Sequence, residues 1–151
     1  IVMNRSACDC GSTTPDLTRE ATIATALEAL RANRPLRAEE TCRDYLEANP
    51  GSVEHLRLLG HALTMQARYA EAEQTIRLAI SLKPGFPHLH EDLGSVFALQ
   101  QRFAEAVPCF EEAIRREPQL PLAHKKLGEA LAALGEAAKR KLPNLADTPA
   151  V

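Results

Sequence analysis

VEHLRLLGHALTMQARYAEAEQTIRLAISLKP, residues 53–84, decides the fold, because its pattern returns one repeat later. Leu56, Leu59, Gly60, Leu63, Ala72, Ile76, Ala79 and Pro84 are answered, at one constant offset, by His90, Leu93, Gly94, Phe97, Ala106, Phe110, Ala113 and Pro118. A fixed period of about 34 residues marks a repeat architecture. Within each unit, apolar or small residues recur at helical spacing, the pattern breaks briefly, and a second helical run ends in Pro. The expected unit is a helix-turn-helix hairpin.

Upstream, Ala38 and Pro50 stand one period before Ala72 and Pro84, which makes a first repeat. There Thr25-Ala26 replaces Leu-Gly and Tyr45 replaces a small Ala, as suits an end repeat with one neighbour. Thr18 is expected to cap a helix running to about Asn33, with Glu20 in its first turn matching the dipole. The next helix starts at Pro35 and ends near Asn49-Pro50. Pro50, Pro84 and Pro118 stop the second helices, and Pro87 and Pro121 suit first turns. A fourth unit begins with His124, Leu127-Gly128 and Leu131, then fails: Arg140 takes the place of the expected Ala. After Gly135 only a short helix, Glu136 to Leu142, is expected before Pro143, as a polar end cap. The chain divides into an arm (1–17), repeats at 19–52, 53–86, 87–120 and a partial 121–142, and a tail (143–151). Arm and tail lack periodicity and are expected to be flexible or frayed.

Gly60, Gly94 and Gly128 share one register in mid-helix, where each costs about 1 kcal/mol against Ala. Close approach of a neighbouring helix backbone is the expected compensation. Arg34, Arg68 and Arg102 recur at the turn inside each hairpin and read as solvated surface or helix-end charge. His90 and His124 fill the slot of Leu56 and are expected to be wedges between helices rather than metal ligands.

The spaced Leu-Gly, Ala, aromatic and Pro positions resemble the tetratricopeptide repeat, over roughly Arg19 to Gly135. The resemblance implies an all-α, right-handed α-solenoid of stacked helix pairs, about three repeats plus a C-terminal capping helix. It also implies a concave groove lined by the first helix of each pair. By register those positions are Glu20, Ile23, Leu27, Leu30 and Arg31 in the first repeat, and Glu54, Arg57, His61, Thr64 and Met65 in the second. The third supplies His88, Glu91, Ser95, Ala98 and Leu99, and the fourth Leu122, Lys125 and Glu129. Chaperone-binding members of the family grip a terminal carboxylate with Lys, Asn and Arg in such slots. Ile23 and Leu27 stand in the corresponding first-repeat places, which argues against that clamp. Ile23, Leu27 and Leu30 would form an apolar stripe, either a contact site or core covered by the arm.

At 151 residues, the chain is long enough for one domain, and with 45% hydrophobic but 4% aromatic residues, Ala and Leu must carry the packing. A net charge of −2 gives no electrostatic footprint for nucleic acid, and Lys139-Arg140-Lys141 is too short to create one. No apolar run approaches the roughly 18 residues of a membrane span. No signal-peptide core follows Met3, so a cytoplasmic setting with the four cysteines as thiols is expected. Cys8 and Cys10 lack the further ligands a metal site needs, and Cys42 and Cys109 fit helices as small hydrophobes. His90-Glu91 begins like a zinc-protease helix, but Gly94 stands where the second His must be. No phosphate loop, nucleophile elbow or dinucleotide fingerprint appears, so neither catalysis nor a cofactor or metal is expected.

The function expected is a non-enzymatic module that holds a peptide or helix of another protein, with Arg57, His61 and Glu91 setting its orientation. Phrases such as Ala38-Glu39-Glu40 and Leu127-Gly128-Glu129 also resemble the repeat region that precedes bacterial sulfotransferase domains, which implies part of a larger enzyme. Self-association as a homo-oligomer, through an unpaired end of the stack or an exchanged arm, is the third expectation.

Overall fold

A computed structural model describes residues 18–141, and within them the chain forms seven helices and no strand. They are α1 (Arg19–Arg31), α2 (Pro35–Ala48), α3 (Val53–Met65), α4 (Tyr69–Leu82), α5 (Pro87–Leu99), α6 (Phe103–Arg116) and α7 (Pro121–Lys141). The expected all-α hairpin repeat is what the chain builds. The arm and tail lie outside the described residues. Two compact units divide after Leu82. In the first, α2 packs against both α1 and α3, α3 against α4, and α1 against α3. In the second, α6 packs against both α5 and α7.

Local chemistry sets the helix ends. Thr18 Oγ1 accepts from the Ala21 amide at 3.2 Å, as its place before the first helix implied. Pro35, Pro87 and Pro121 are the first residues of α2, α5 and α7, where the missing N–H leaves no bond unmade. Each hairpin turns on a left-handed residue: Asn33, Ala67 and Gln101 have φ of 59°, 60° and 61°. The next amide then reaches back to the end of the first helix, Arg34 to the Ala29 carbonyl (2.8 Å), Arg68 to Leu63 (2.9 Å) and Arg102 to Phe97 (2.9 Å). Asn tolerates this backbone, whereas the Cβ of Ala67 or Gln101 costs roughly 1–2 kcal/mol there. Ala67→Gly is therefore expected to stabilise by up to about 1 kcal/mol, read from thermal unfolding. A lower melting temperature would show that the turn holds no strain.

The turn arginines do more than meet solvent. Arg68 Nε and Nη2 hold both Glu71 oxygens at 2.7 Å, and Arg102 holds Glu105 in the same way. Each acid sits in the first turn of the second helix, where the dipole also favours it. The Arg102 guanidinium additionally lies 4.6 Å from the centre of the Phe97 ring.

The glycines have a different cause from the expected backbone contact. A Cβ on Gly60 would stand 2.7 Å from Ile76 Cγ1, and one on Gly94 would stand 2.7 Å from Phe110 Cε1. A side chain of the partner helix in the same hairpin fills each hollow. Ala26 and Cys42, both fully buried, hold these places in the first hairpin. The filling residue grows as its partner shrinks, so one volume is shared between two helices. Gly128 has no atom within 4 Å of its hypothetical Cβ, so the expected close approach is absent there.

His90 and His124 are not wedges. Each Nε2–H donates to a proline carbonyl in the turn just past a helix end, His90 to Pro84 and His124 to Pro118, both at 2.9 Å. The fourth unit differs too: α7 runs unbroken through Gly135 to Lys141. One glycine costs about 1 kcal/mol, and its strong helix-forming neighbours Ala132, Ala133, Ala137 and Ala138 offset that. Pro108 lies inside α6, where it denies the Ala104 carbonyl an i+4 donor.

Candidate functional site

The groove positions divide between the two units. On α1 and α3 of the first, Ile23, Leu27 and Leu30 are half-buried, and Met65 is exposed. Glu54 pairs with Arg19 at 2.8 Å, and Arg57 and His61 are half-buried. The residues proposed to cover the apolar stripe, 1–17, lie outside the described part.

On α5 and α7 of the second unit, Glu91 is 4% exposed and its carboxylate accepts from Lys126 Nζ at 3.1 Å. Lys126 also donates to Ser95 Oγ at 2.7 Å, and the Ser95 hydroxyl donates to the Glu91 carbonyl at 2.9 Å. Glu91 is thus tied into a buried ion pair, whereas Lys125 and Glu129 are exposed and meet only loosely, at 4.0 Å. His88 is half-buried, its ring tilted against Phe86, and its Nδ1 is buried without a hydrogen-bond partner among the described residues.

Ser95, Ala98 and Leu99 form one wall of a cleft of about 400 Å³ in this unit. Phe103 and Phe110 of α6 also line it, and Lys126, Glu129 and Ala130 of α7 form the other wall. A volume of this order accommodates one or two side chains of a ligand. Leu99 remains 56% exposed, so an apolar contact there is unspent. The register thus brings Ser95, Ala98, Leu99 and Glu129 to one hollow, while Lys126, which supplies its charge, was not among the expected groove residues.

Two buried polar groups in the first unit also went unread. Glu39 accepts from Arg43 Nε (2.8 Å), Gln66 Nε2 (2.7 Å) and Arg68 Nη1 (2.8 Å). Burial alone would raise its pKa, but the bonds from Gln66 and Arg43 and the charge of Arg68 win, and it falls below the usual carboxylate range. A lone Glu39 in the sequence cannot reveal partners as distant along the chain as Gln66 and Arg68. His55 is fully buried, stacked on Tyr45 with centroids 3.9 Å apart. The Thr22 hydroxyl proton goes to the Thr18 or Arg19 carbonyl, so His55 Nε2–H donates to Thr22 Oγ1 at 2.7 Å. Ser52 then donates to Nδ1 at 2.7 Å, which satisfies the neutral ring completely. At this register the later repeats have Leu89 and Ala123, a clue that a polar residue had entered a core slot.

Burial lowers the His55 pKa, with Arg19 adding to the shift and Glu54 opposing it. The unfolded chain takes up the proton first, near pH 6.5, so the stabilisation is complete above that value and is lost as pH falls towards the folded pKa. A drop in melting temperature from about pH 7.5 to about pH 5.5 is expected, and His55→Leu should reduce it. An equal pH dependence in that variant would assign the effect to other groups.

Hairpins of this size, repeating at one constant period with small residues under bulky ones, define a helical-repeat protein. The family model of the tetratricopeptide repeat matches residues 23–87 and 91–139. The chain belongs to the tetratricopeptide repeat family. No curated protein matches it closely enough to count as a relative. Among solved structures, a mutant O-GlcNAc transferase of Thermobaculum terrenum is 29% identical with a TM-score of 0.71. That match covers 76% of this chain but only 23% of the transferase, so the chain spans less than a quarter of that protein's length. The first tetratricopeptide domain of human RPAP3 is 18% identical, with a TM-score of 0.74 over 78% of this chain and 92% of the domain. Its counterpart in Spaghetti, bound to an HSP90 peptide, is 18% identical with a TM-score of 0.71 over 77% of this chain and 92% of that one. These last two share the fold. Among the described residues, no helix is long and apolar enough to cross a membrane.

Proposed function

We propose that the protein is a non-catalytic interaction module that holds a peptide or amphipathic helix of another protein on the first helices of its hairpins. The observation that carries this reading is the cleft of about 400 Å³ beside Leu99, to which the groove register contributes Ser95, Ala98, Leu99 and Glu129. Its aromatic floor would take an apolar side chain, and Lys126 and Glu129 at its rim would orient the polar backbone around it. The solved domain of Spaghetti with its HSP90 peptide supports the class of ligand, while Ile23 and Leu27 argue against the same mode of capture.

Selection of a random peptide library on the full chain tests this. Peptides enriched on the wild type should lose about tenfold or more in affinity for Leu99→Glu, with helicity unchanged. If Leu99→Glu and Arg57→Glu both leave the selected peptides bound as before, the groove reading fails.

A second reading rests on the transferase likeness: the chain is the repeat region of a larger enzyme, and the groove presents that enzyme's protein substrate. A catalytic segment in the same reading frame would support it. A frame that encodes none would end it.

A further inference from the structure

Three turns of one design carry an arginine at the same place, but only two have its acid beside it. Arg68 holds Glu71 and Arg102 holds Glu105, and Arg68 also takes a second carboxylate, that of Glu39 on α2. Three residues after Arg34, at the place of those glutamates, stands Arg37. No acid lies in the first turn of α2, and neither the Arg34 nor the Arg37 side chain makes an ion pair among the described residues. A slot filled by carboxylate in two repeats holds two guanidinium groups in the first.

Room accompanies the charge. Arg34 and Arg37 line a cavity of about 620 Å³ with Thr25, Glu28, Ala29 and Ala32. Ala29 and Ala32 stand where the second repeat has Leu63 and Gln66, so the wall is cut back where the neighbour is full. The Thr25 hydroxyl is spent on the Ala21 carbonyl, which leaves the arginines as the free donors. Glu28 is the single acid in the wall, against two cations. None of the groove residues named above lines this cavity.

We propose that the cavity receives an acidic peptide segment of another protein, one Asp or Glu carboxylate lying between Arg34 and Arg37. Guanidinium and carboxylate match in plane and in charge, as the Arg68–Glu71 pair shows in this same chain. Only two cations line the cavity, with Glu28 against them, too few for the repeated phosphates of a nucleic acid.

Fluorescence anisotropy of a fluorescein-labelled Gly-Glu-Glu-Ala-Glu-Glu-Gly peptide with the full chain tests the assignment. Binding is expected to weaken about tenfold or more in the double variant Arg34→Gln, Arg37→Gln, with the helical content retained. Glu28→Gln should tighten it about twofold by removing the opposing charge. Charge reversal at Lys83 and Lys139 should leave it unchanged. Equal binding by the double variant, or by a peptide with glutamine for every glutamate, overturns the proposal. So does a single-stranded DNA probe that binds more tightly than the peptide and is lost in the same variant. Binding that appears only after Asp9→Asn and Asp16→Asn would give the slot to this chain's own first residues and overturn the external partner.

Discussion

Phe110→Ala is expected to lower stability by about 3–5 kcal/mol, the range for emptying a well-packed aromatic site. The Phe110 ring is wholly buried, and its Cε1, Cδ1 and Cζ would all lie within 3.0 Å of a Cβ placed on Gly94. The two residues share one volume, so they should couple. Gly94→Leu alone forces an extra side chain into that space and should cost about 1–3 kcal/mol despite a better helix propensity. In the Phe110→Ala background, the same leucine enters the vacated hollow and should restore part of the loss. Gly128→Ala meets nothing within 4 Å, so propensity alone acts and it should stabilise by roughly 1 kcal/mol. Chemical denaturation of the four-member cycle, with Gly128→Ala beside it, gives all the signs at once. Additive losses at Gly94 and Phe110 would show that the ring does not fill the glycine hollow.

The period made the hairpins legible, because burial of one face per helix is a property of spacing and spacing is written in the chain. Helix starts at Thr18, Pro35 and Pro87 followed from local backbone chemistry for the same reason. What the glycines face did not follow, since the filling residue lies on the other helix of the hairpin. The clue lay in the paired sizes of Ala26 with Cys42, Gly60 with Ile76 and Gly94 with Phe110. His90 and His124 misled because they occupy an apolar slot, yet the turn before each helix offers a proline carbonyl that an imidazole N–H can reach. α7 misled because Gly135 looked like a stop, and no left-handed turn residue follows it among the described residues. Within the groove, register correctly grouped Ser95, Ala98, Leu99 and Glu129. It could not see that Glu91 had a cation waiting on α7, because exposure of a charged side chain is decided by what packs beside it.

That cation gives the second large effect. Lys126→Met is expected to destabilise the second unit by about 3 kcal/mol, since it leaves the Glu91 carboxylate buried without its counter-charge. The Glu91 side chain is 5% exposed and that of Lys126 28%, so water offers little of the compensation available to a surface pair. Glu91→Gln should cost less, because an amide oxygen still accepts from the ammonium and the charge left unpaired is that of Lys126, which reaches water better than Glu91 does. The double variant Glu91→Leu, Lys126→Met removes both charges and should recover much of the loss, as buried pairs often do when replaced by apolar groups of similar size. Thermal unfolding of these three variants measures the order. The same set bears on binding: Lys126 stands at the rim of the cleft with Ser95, and Glu91→Gln keeps its hydrogen bond but leaves its charge unneutralised for a ligand. Peptides selected on the wild type should then bind Glu91→Gln at least as well and Lys126→Met more weakly. If Lys126→Met loses stability but keeps every selected peptide, the lysine serves the fold alone and the cleft must hold its ligand through Leu99 and the aromatic floor.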